Sequence, residues 1–401
     1  MQPFRAWRPR PGLERRVAAP PYDVLDSEEA RTLAAGIDES FLYVSKAEIA
    51  LEPGVSARDP RVYAASERRF ADMRAQGILL QDATPCFYVY RLEMNGHRQT
   101  GIAGLASVTA YREGRIKKHE HTRPDKEDDR TRLASTLRAN SGPVFLIHPE
   151  NPDIETLTER LIAAAAPVYD FLADDGIRHT LWVMGQSEMI RDLTAALDGV
   201  PAMYIADGHH RAAAAVRVAN DIPEAGAGFL AVVFPTSQVR IMDYNRVVRD
   251  LNGMEEAEFL RRVGEGFRLR PADGPVAPNA RHRFGMYLGG RWHHLEADLT
   301  AEQEADPLTR LDVSILQERL LAPLLGIANP RQETRIDFVG GRRGLEELTR
   351  RVDSGEMRVA FSLFPTGMDE LMAVSDAGCV MPPKSTWFEP KLRDGLVVQT
   401  F

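Results

Sequence analysis

Cysteine is scarce. Cys86 and Cys379 are the only two in 401 residues, and they stand far apart and outside any ligand spacing. That excludes a disulfide-stapled scaffold and a cysteine-built zinc site, and it fits a reduced, cytoplasmic chain. Long apolar runs are missing as well. The longest, Leu161–Tyr169, has nine residues and contains Pro167, too short for a membrane-spanning helix. The first residues, Met1 to Arg10, carry charge and proline with no apolar stretch behind them, so no secretory signal is expected. A basic excess is absent. The net charge is −8, with arginine-rich and acidic stretches interleaved, which disfavours a nucleic-acid footprint but leaves room for a small anionic substrate. There is no G-x-G-x-x-G, no G-x-S-x-G and no His-Glu-x-x-His, so neither a dinucleotide fold, a serine hydrolase nor a zinc protease is indicated.

The composition is globular, 44% apolar and 27% charged, enough for a sizeable core. Helix and strand signals alternate irregularly, which predicts a mixed α/β (α+β) fold. Asp59-Pro60 opens a helix that Gly77 stops. Cys86–Met94 and Arg98–Tyr111 form a hairpin around Asn95-Gly96. Strands are expected at Phe41–Lys46, Val144–His148, Leu181–Met184, Met203–Ala206, Phe229–Phe234 and Arg358–Leu363, with a further pair, Arg283–Leu288 and Arg291–Leu295, around Gly289-Gly290. Helices are expected after Ser27 and over 153–165, 187–197, 255–267, 312–324 and 344–353. The chain is divided into 1–110, an N-terminal segment with the hairpin; 111–255, a central core with an insertion at about 149–200; and 256–401, a C-terminal segment.

The sharpest chemical signal is Asp207-Gly208-His209-His210-Arg211. An apolar strand ends there and an alanine-rich helix begins. Helix N-termini present unpaired N–H groups, Gly208 permits close backbone approach, and Arg211 can grip an anion. Together they suit a phosphate or carboxylate. Asp207 is open to three roles: base, metal ligand or helix cap. In the alternative reading Arg211 pairs with a surface acid and the histidines are ordinary polar residues. The second signal is Lys117-Lys118-His119-Glu120-His121 with Arg123 and Lys126 close behind. A carboxylate between two histidines can act as a general base or bind Mg²⁺; the alternative is a solvated, charged helix start. Gly378 to Ser385 is a near miss to a P-loop, because Pro383 replaces the second glycine and removes an N–H, so a P-loop is rejected. Lys384, Ser385, Thr386 and Lys391 either line a polar site or accompany Trp387 and Phe388 in pinning the tail. Asp243 to Arg246 reads as a core-edge tyrosine beside a salt-bridged arginine.

Phe4–Pro9, Val17–Val24, Ile116–Arg130, Ile205–Arg211, Asp243–Gly253, Arg335–Gly341 and Met381–Leu392 together resemble the bacterial and archaeal family called domain of unknown function 1015. Lys117-Lys118-His119-Glu120 and Asp207 to Arg211 also resemble the free-serine kinases of the ParB/sulfiredoxin-like superfamily. The resemblance implies a ParB/sulfiredoxin-like core and phosphoryl transfer to the hydroxyl of free L-serine, giving O-phosphoserine. The donor would be pyrophosphate or a nucleotide. Glu120, Asp207 and His209 would be catalytic, Glu120 as base and Asp207 supporting the nucleophile or a Mg²⁺ ion. Lys118, His119, Gly208, His210, Arg211, Arg123 and Lys126 would bind substrate and phosphate. Mg²⁺ is the expected cofactor, with no zinc and no dinucleotide. The expected partners are small molecules, with a homodimer open and neither membrane nor nucleic acid. The departure is the 149–200 insertion, which must loop out if the core topology is to survive. The competing function is a nucleotide-binding, nucleic-acid-binding or phosphometabolite-sensing protein without catalysis.

Overall fold

The computed structural model describes residues 1–340 and 343–401. Gly341, the end of the Arg335–Gly341 stretch, lies outside them. The described residues form two units, Met1–Val239 with Pro390–Phe401, and Arg240–Glu389. The fold is mixed α/β, as expected. Among the described residues no helix is long and apolar enough to cross a membrane.

The first unit is built on an eight-stranded sheet. In chain order its strands are β1 (Phe87–Met94), β2 (His97–Ser107), β3 (Ile116–Lys117), β4 (Val144–His148), β5 (Tyr169–Leu172), β6 (Arg178–Met184), β7 (Met203–Asp207) and β8 (Gly228–Pro235). The spatial order is β3-β7-β4-β8-β2-β1-β6-β5. β7 runs parallel to β3 and β8 parallel to β4; the other pairs are antiparallel. β1 and β2 close through Asn95 and Gly96, both at positive φ, the turn that Asn-Gly favours. The unit's principal helices are α1 (Pro60–Ala75), α2 (Pro124–Leu137), α3 (Pro152–Ala164), α4 (Ser187–Asp198) and α5 (His209–Asp221). Three of the five, α1, α2 and α3, open on proline, and Asp59 and Asn151 cap α1 and α3 with their side chains. α5 instead starts from Gly208 in a left-handed conformation.

The central strands are buried on both faces. Val144, Leu146, Ile205, Ala231 and Val233 join one apolar cluster with Phe87, Val89 and the inward faces of α3, α4 and α5. A second cluster packs Phe41, Leu42 and Val44 against Tyr63, Phe70 and Met73 of α1.

Three expectations change. Residues 41–46 are not a strand: Leu42–Ser45 is a helical turn, because Phe41 stacks edge-on to Phe70 at 6.4 Å and tertiary packing outweighs β propensity. The 149–200 insertion does not loop out. It adds β6 beside β1, from Phe87 opposite Met184 to Glu93 opposite Arg178, and β5 beyond it, while α3 packs on α4. The inserted strands thus extend the sheet at one edge. The three-segment division also differs from what is seen. The hairpin sits inside the central sheet, and the last residues return to the first unit.

The second unit holds a six-stranded antiparallel sheet: β9 (Tyr244–Val248), β10 (Arg268–Ala272), β11 (Arg283–Leu288), β12 (Arg291–Glu296), β13 (Ile336–Gly340) and β14 (Val359–Leu363), ordered β10-β12-β11-β14-β9-β13. The hairpin around Gly289-Gly290 is β11–β12. Trp387–Glu389 pairs with Arg240–Met242, and the Trp387 ring meets Tyr244 at 5.1 Å, so this stretch pins the chain within the unit. Among the described residues Arg246 has no salt-bridge partner. It is buried and donates to the carbonyls of Tyr244 and Lys384.

Leu146 on β4 has no exposed surface. Leu146→Ala should cost about 2–5 kcal/mol, read as an earlier midpoint of the first unit in urea unfolding.

Candidate functional site

The site begins with strand register. Ile116 lies beside Met203 and Lys117 beside Tyr204 in the parallel pair β3–β7. The two chains therefore leave the sheet at the same end, and His119-Glu120 arrives next to the Asp207–Arg211 turn. The turn needs Gly208. Its φ is +91°, and a Cβ there would lie 3.0 Å from Arg211 Nε. The alanines that follow, Ala212 to Ala215, are buried and let α5 pack closely against α2.

His119 and His209 meet edge to face, ring centres 4.5 Å apart. Both are buried, and His119 is further fixed by a hydrogen bond with the Ile205 backbone. Glu120 is 45% exposed, with Oε2 3.8 Å from His209 Nδ1. His210 Nε2 accepts from the Arg123 backbone N–H at 3.0 Å, which locks the start of α2 to the start of α5. No side chain caps α5, so its first-turn N–H groups face the site, and Asp207 is not the helix cap.

Asp207 is an ion-pair centre. Its Oδ2 is 3.3 Å from Lys391 Nζ and 3.4 Å from Arg211 Nη2. Burial would raise its carboxyl, but Lys391 and then Arg211 outweigh that and hold it at about 2. Arg211 turns inward. It donates to the Pro143 carbonyl and to Asp207, and it lies near Asp23 and Asp394. The carbonyl just before β4 thus takes one of the guanidinium's terminal nitrogens. The cationic fringe surrounds the turn. Arg123 pairs with Asp125, Lys118 lies over the Tyr111 ring at 4.6 Å, and Lys126 stands exposed.

One carboxylate oxygen of Asp207 already faces two cationic groups, and among the described residues no three His, Cys, Asp or Glu side chains gather to hold a metal by themselves. The sequence reading also passed over the groups behind the turn. Asp394 is buried beside Arg211, and burial lifts its carboxyl to about 7 despite that arginine. Tyr22 packs under Arg130 at 3.9 Å. The only signal for these was polar chemistry inside the Val17–Val24 stretch and the tail.

Burial keeps the histidines neutral. His119 is lowered to about 4; His209, by burial and then by its neighbour His119, falls well below its ordinary range. Their native forms thus bind fewer protons than the unfolded chain. Stability is intact above pH 6.5 and drains as pH falls from there towards 4. His119 alone should contribute roughly 2–3 kcal/mol of that loss, measurable as the difference in acid-side slope between wild type and His119→Gln in denaturant melts.

No curated protein matches the chain. Among solved structures, a free serine kinase in complex with AMP is 14% identical, with a TM-score of 0.35, over 71% of this chain and 86% of that one. A conserved hypothetical protein from Pyrococcus furiosus is 15% identical, with a TM-score of 0.35, over 73% and 93%. SbnI from Staphylococcus aureus, truncated at its C-terminus, is 12% identical, with a TM-score of 0.39, over 74% and 86%. All three scores lie below 0.5, so the site's own geometry carries the functional argument. The family model described as a protein of unknown function, DUF1015, matches residues 1–314, and the chain belongs to that family.

Proposed function

We propose that this protein transfers a phosphoryl group to the hydroxyl of free L-serine, using pyrophosphate or a nucleotide as donor. One observation carries the reading. Glu120, half exposed, stands 3.8 Å from His209 at the uncapped N-terminus of α5, although about ninety positions separate them in the chain. A base and an anion-receptive turn thus face one another.

The chemistry asks little more. The serine oxygen attacks phosphorus, the bond from phosphorus to the bridging oxygen of the donor breaks, and the hydroxyl proton passes to Glu120. With pyrophosphate the products are O-phosphoserine and orthophosphate. Neutral His209 is placed to steady the Glu120 carboxylate. The N–H groups of the first turn of α5 would face the donor oxygens, with Gly208 allowing their approach. Asp207 would act through the charges it holds.

Incubation of the protein with L-serine and pyrophosphate, ADP or ATP, with and without Mg²⁺ in the buffer, should yield phosphoserine by phosphorus NMR with at least one donor. Glu120→Gln should lower kcat by about 10²–10⁴-fold, with little change in melting temperature because the side chain is half exposed. Binding of phosphoserine without turnover by any donor would instead favour a sensor.

A further inference from the structure

The expected phosphate grip is electrically weak as built. His209 and His210 are held neutral, chiefly by burial, and the terminal nitrogens of Arg211 donate to Pro143 and Asp207. A transferring phosphoryl group spreads negative charge over its oxygens and needs positive charge beside it. One residue that brings such charge to the turn comes from the far end of the chain. Resting on the serine-kinase reading for its substrate, we propose that Lys391 is the cation that holds the phosphoryl donor, and that the inserted ribbon β5–β6 clamps it in place.

The placement is over-determined. The segment Pro390–Phe401 straps across the first unit. Asp394 pairs with Ala19, Val398 with Trp7, and Gln399 and Thr400 with Asn140 and Ala139. Just beyond Lys391, Arg393 is buried and donates to His179 Nε2 at 3.2 Å and to Asp175. His179 is itself held through Nδ1 by the Tyr90 hydroxyl at 2.7 Å. His179 lies on β6 and Asp175 in the turn between β5 and β6, so the edge strands added by the insertion hold the strap. Lys391 sits one residue after Pro390, whose carbonyl accepts from the Gln99 amide. Anchors thus flank Lys391 on both sides and leave its ammonium 3.3 Å from Asp207 Oδ2 at the mouth of the turn. In this arrangement Asp207 aims the lysine, and Lys391 meets the donor. Asp175, His179 and Arg393 are positioning residues.

Calorimetric titration with inorganic pyrophosphate tests this without requiring turnover. Lys391→Gln keeps a hydrogen bond to Asp207 but removes the charge. It should weaken pyrophosphate at least tenfold and lower kcat more than it raises the KM for serine. Lys391→Arg should restore binding to within about threefold, which a merely structural role would not require. In wild type, the Lys391 ammonium resonance should move as pyrophosphate saturates the protein, a readout that needs no folded variant. Equal affinity in wild type and Lys391→Gln, an unmoved resonance at saturation, or no pyrophosphate binding by wild type would each overturn the assignment. Binding through Lys391 without phosphoserine would end the serine-kinase reading and leave this assignment standing. Phosphoserine formed at full rate by Lys391→Gln would do the reverse.

Discussion

Two residue pairs in one parallel ladder decide where chemistry can happen in this protein. Ile116 beside Met203 and Lys117 beside Tyr204 fix β3 against β7, and a parallel pair must discharge both chains at the same end. Had β3 paired antiparallel, His119 and Glu120 would leave at the opposite end of β7 from Asp207. Because each strand stops within a residue or two of its polar motif, there is little slack for the motifs to drift apart. The edge-to-face contact of His119 and His209 then locks the register in three dimensions.

Around that junction, charge is sorted by depth. The buried imidazoles are neutral, and Arg211 and Asp207 neutralise one another beneath the turn. Removing Asp207 would take from Lys391 and Arg211 the carboxylate they share, which is costlier than losing a surface pair. The exposed group is Glu120, whose carboxylate stands at the edge of this set. A site arranged in this way has a rigid, charge-balanced floor and a reactive rim. Phosphoryl transfer, in which positioning and electrostatics do most of the work, suits such a floor.

Much of the local structure was legible in the sequence because its signals are local. Asp59-Pro60 marked the start of α1, and Asn95-Gly96 marked the β1–β2 turn. The His119-Glu120 and Asp207–Arg211 motifs were visible as motifs, and the structure does bring them together. The failures share another cause. Leu42–Ser45 is helical because of a partner ring on α1, and Tyr169–Leu172 is a short edge strand that only β6 specifies. The inward turn of Arg211 likewise has no local signal. Its partner, the Pro143 carbonyl, lies 68 positions away.

Residue order alone determined the mixed α/β class, the acidic balance, and which side chains carry chemistry, since each follows from composition or from spacing within a single turn or strand. Tertiary structure decided everything that depends on pairing across the chain: the growth of the sheet through residues 149–200, the inward turn of Arg211, and the arrival of Lys391 at Asp207. The physical reason is the range of the forces involved. Backbone preference acts over a few residues, whereas burial and ion pairing act between whatever surfaces the fold presses together, and no local pattern records those partners.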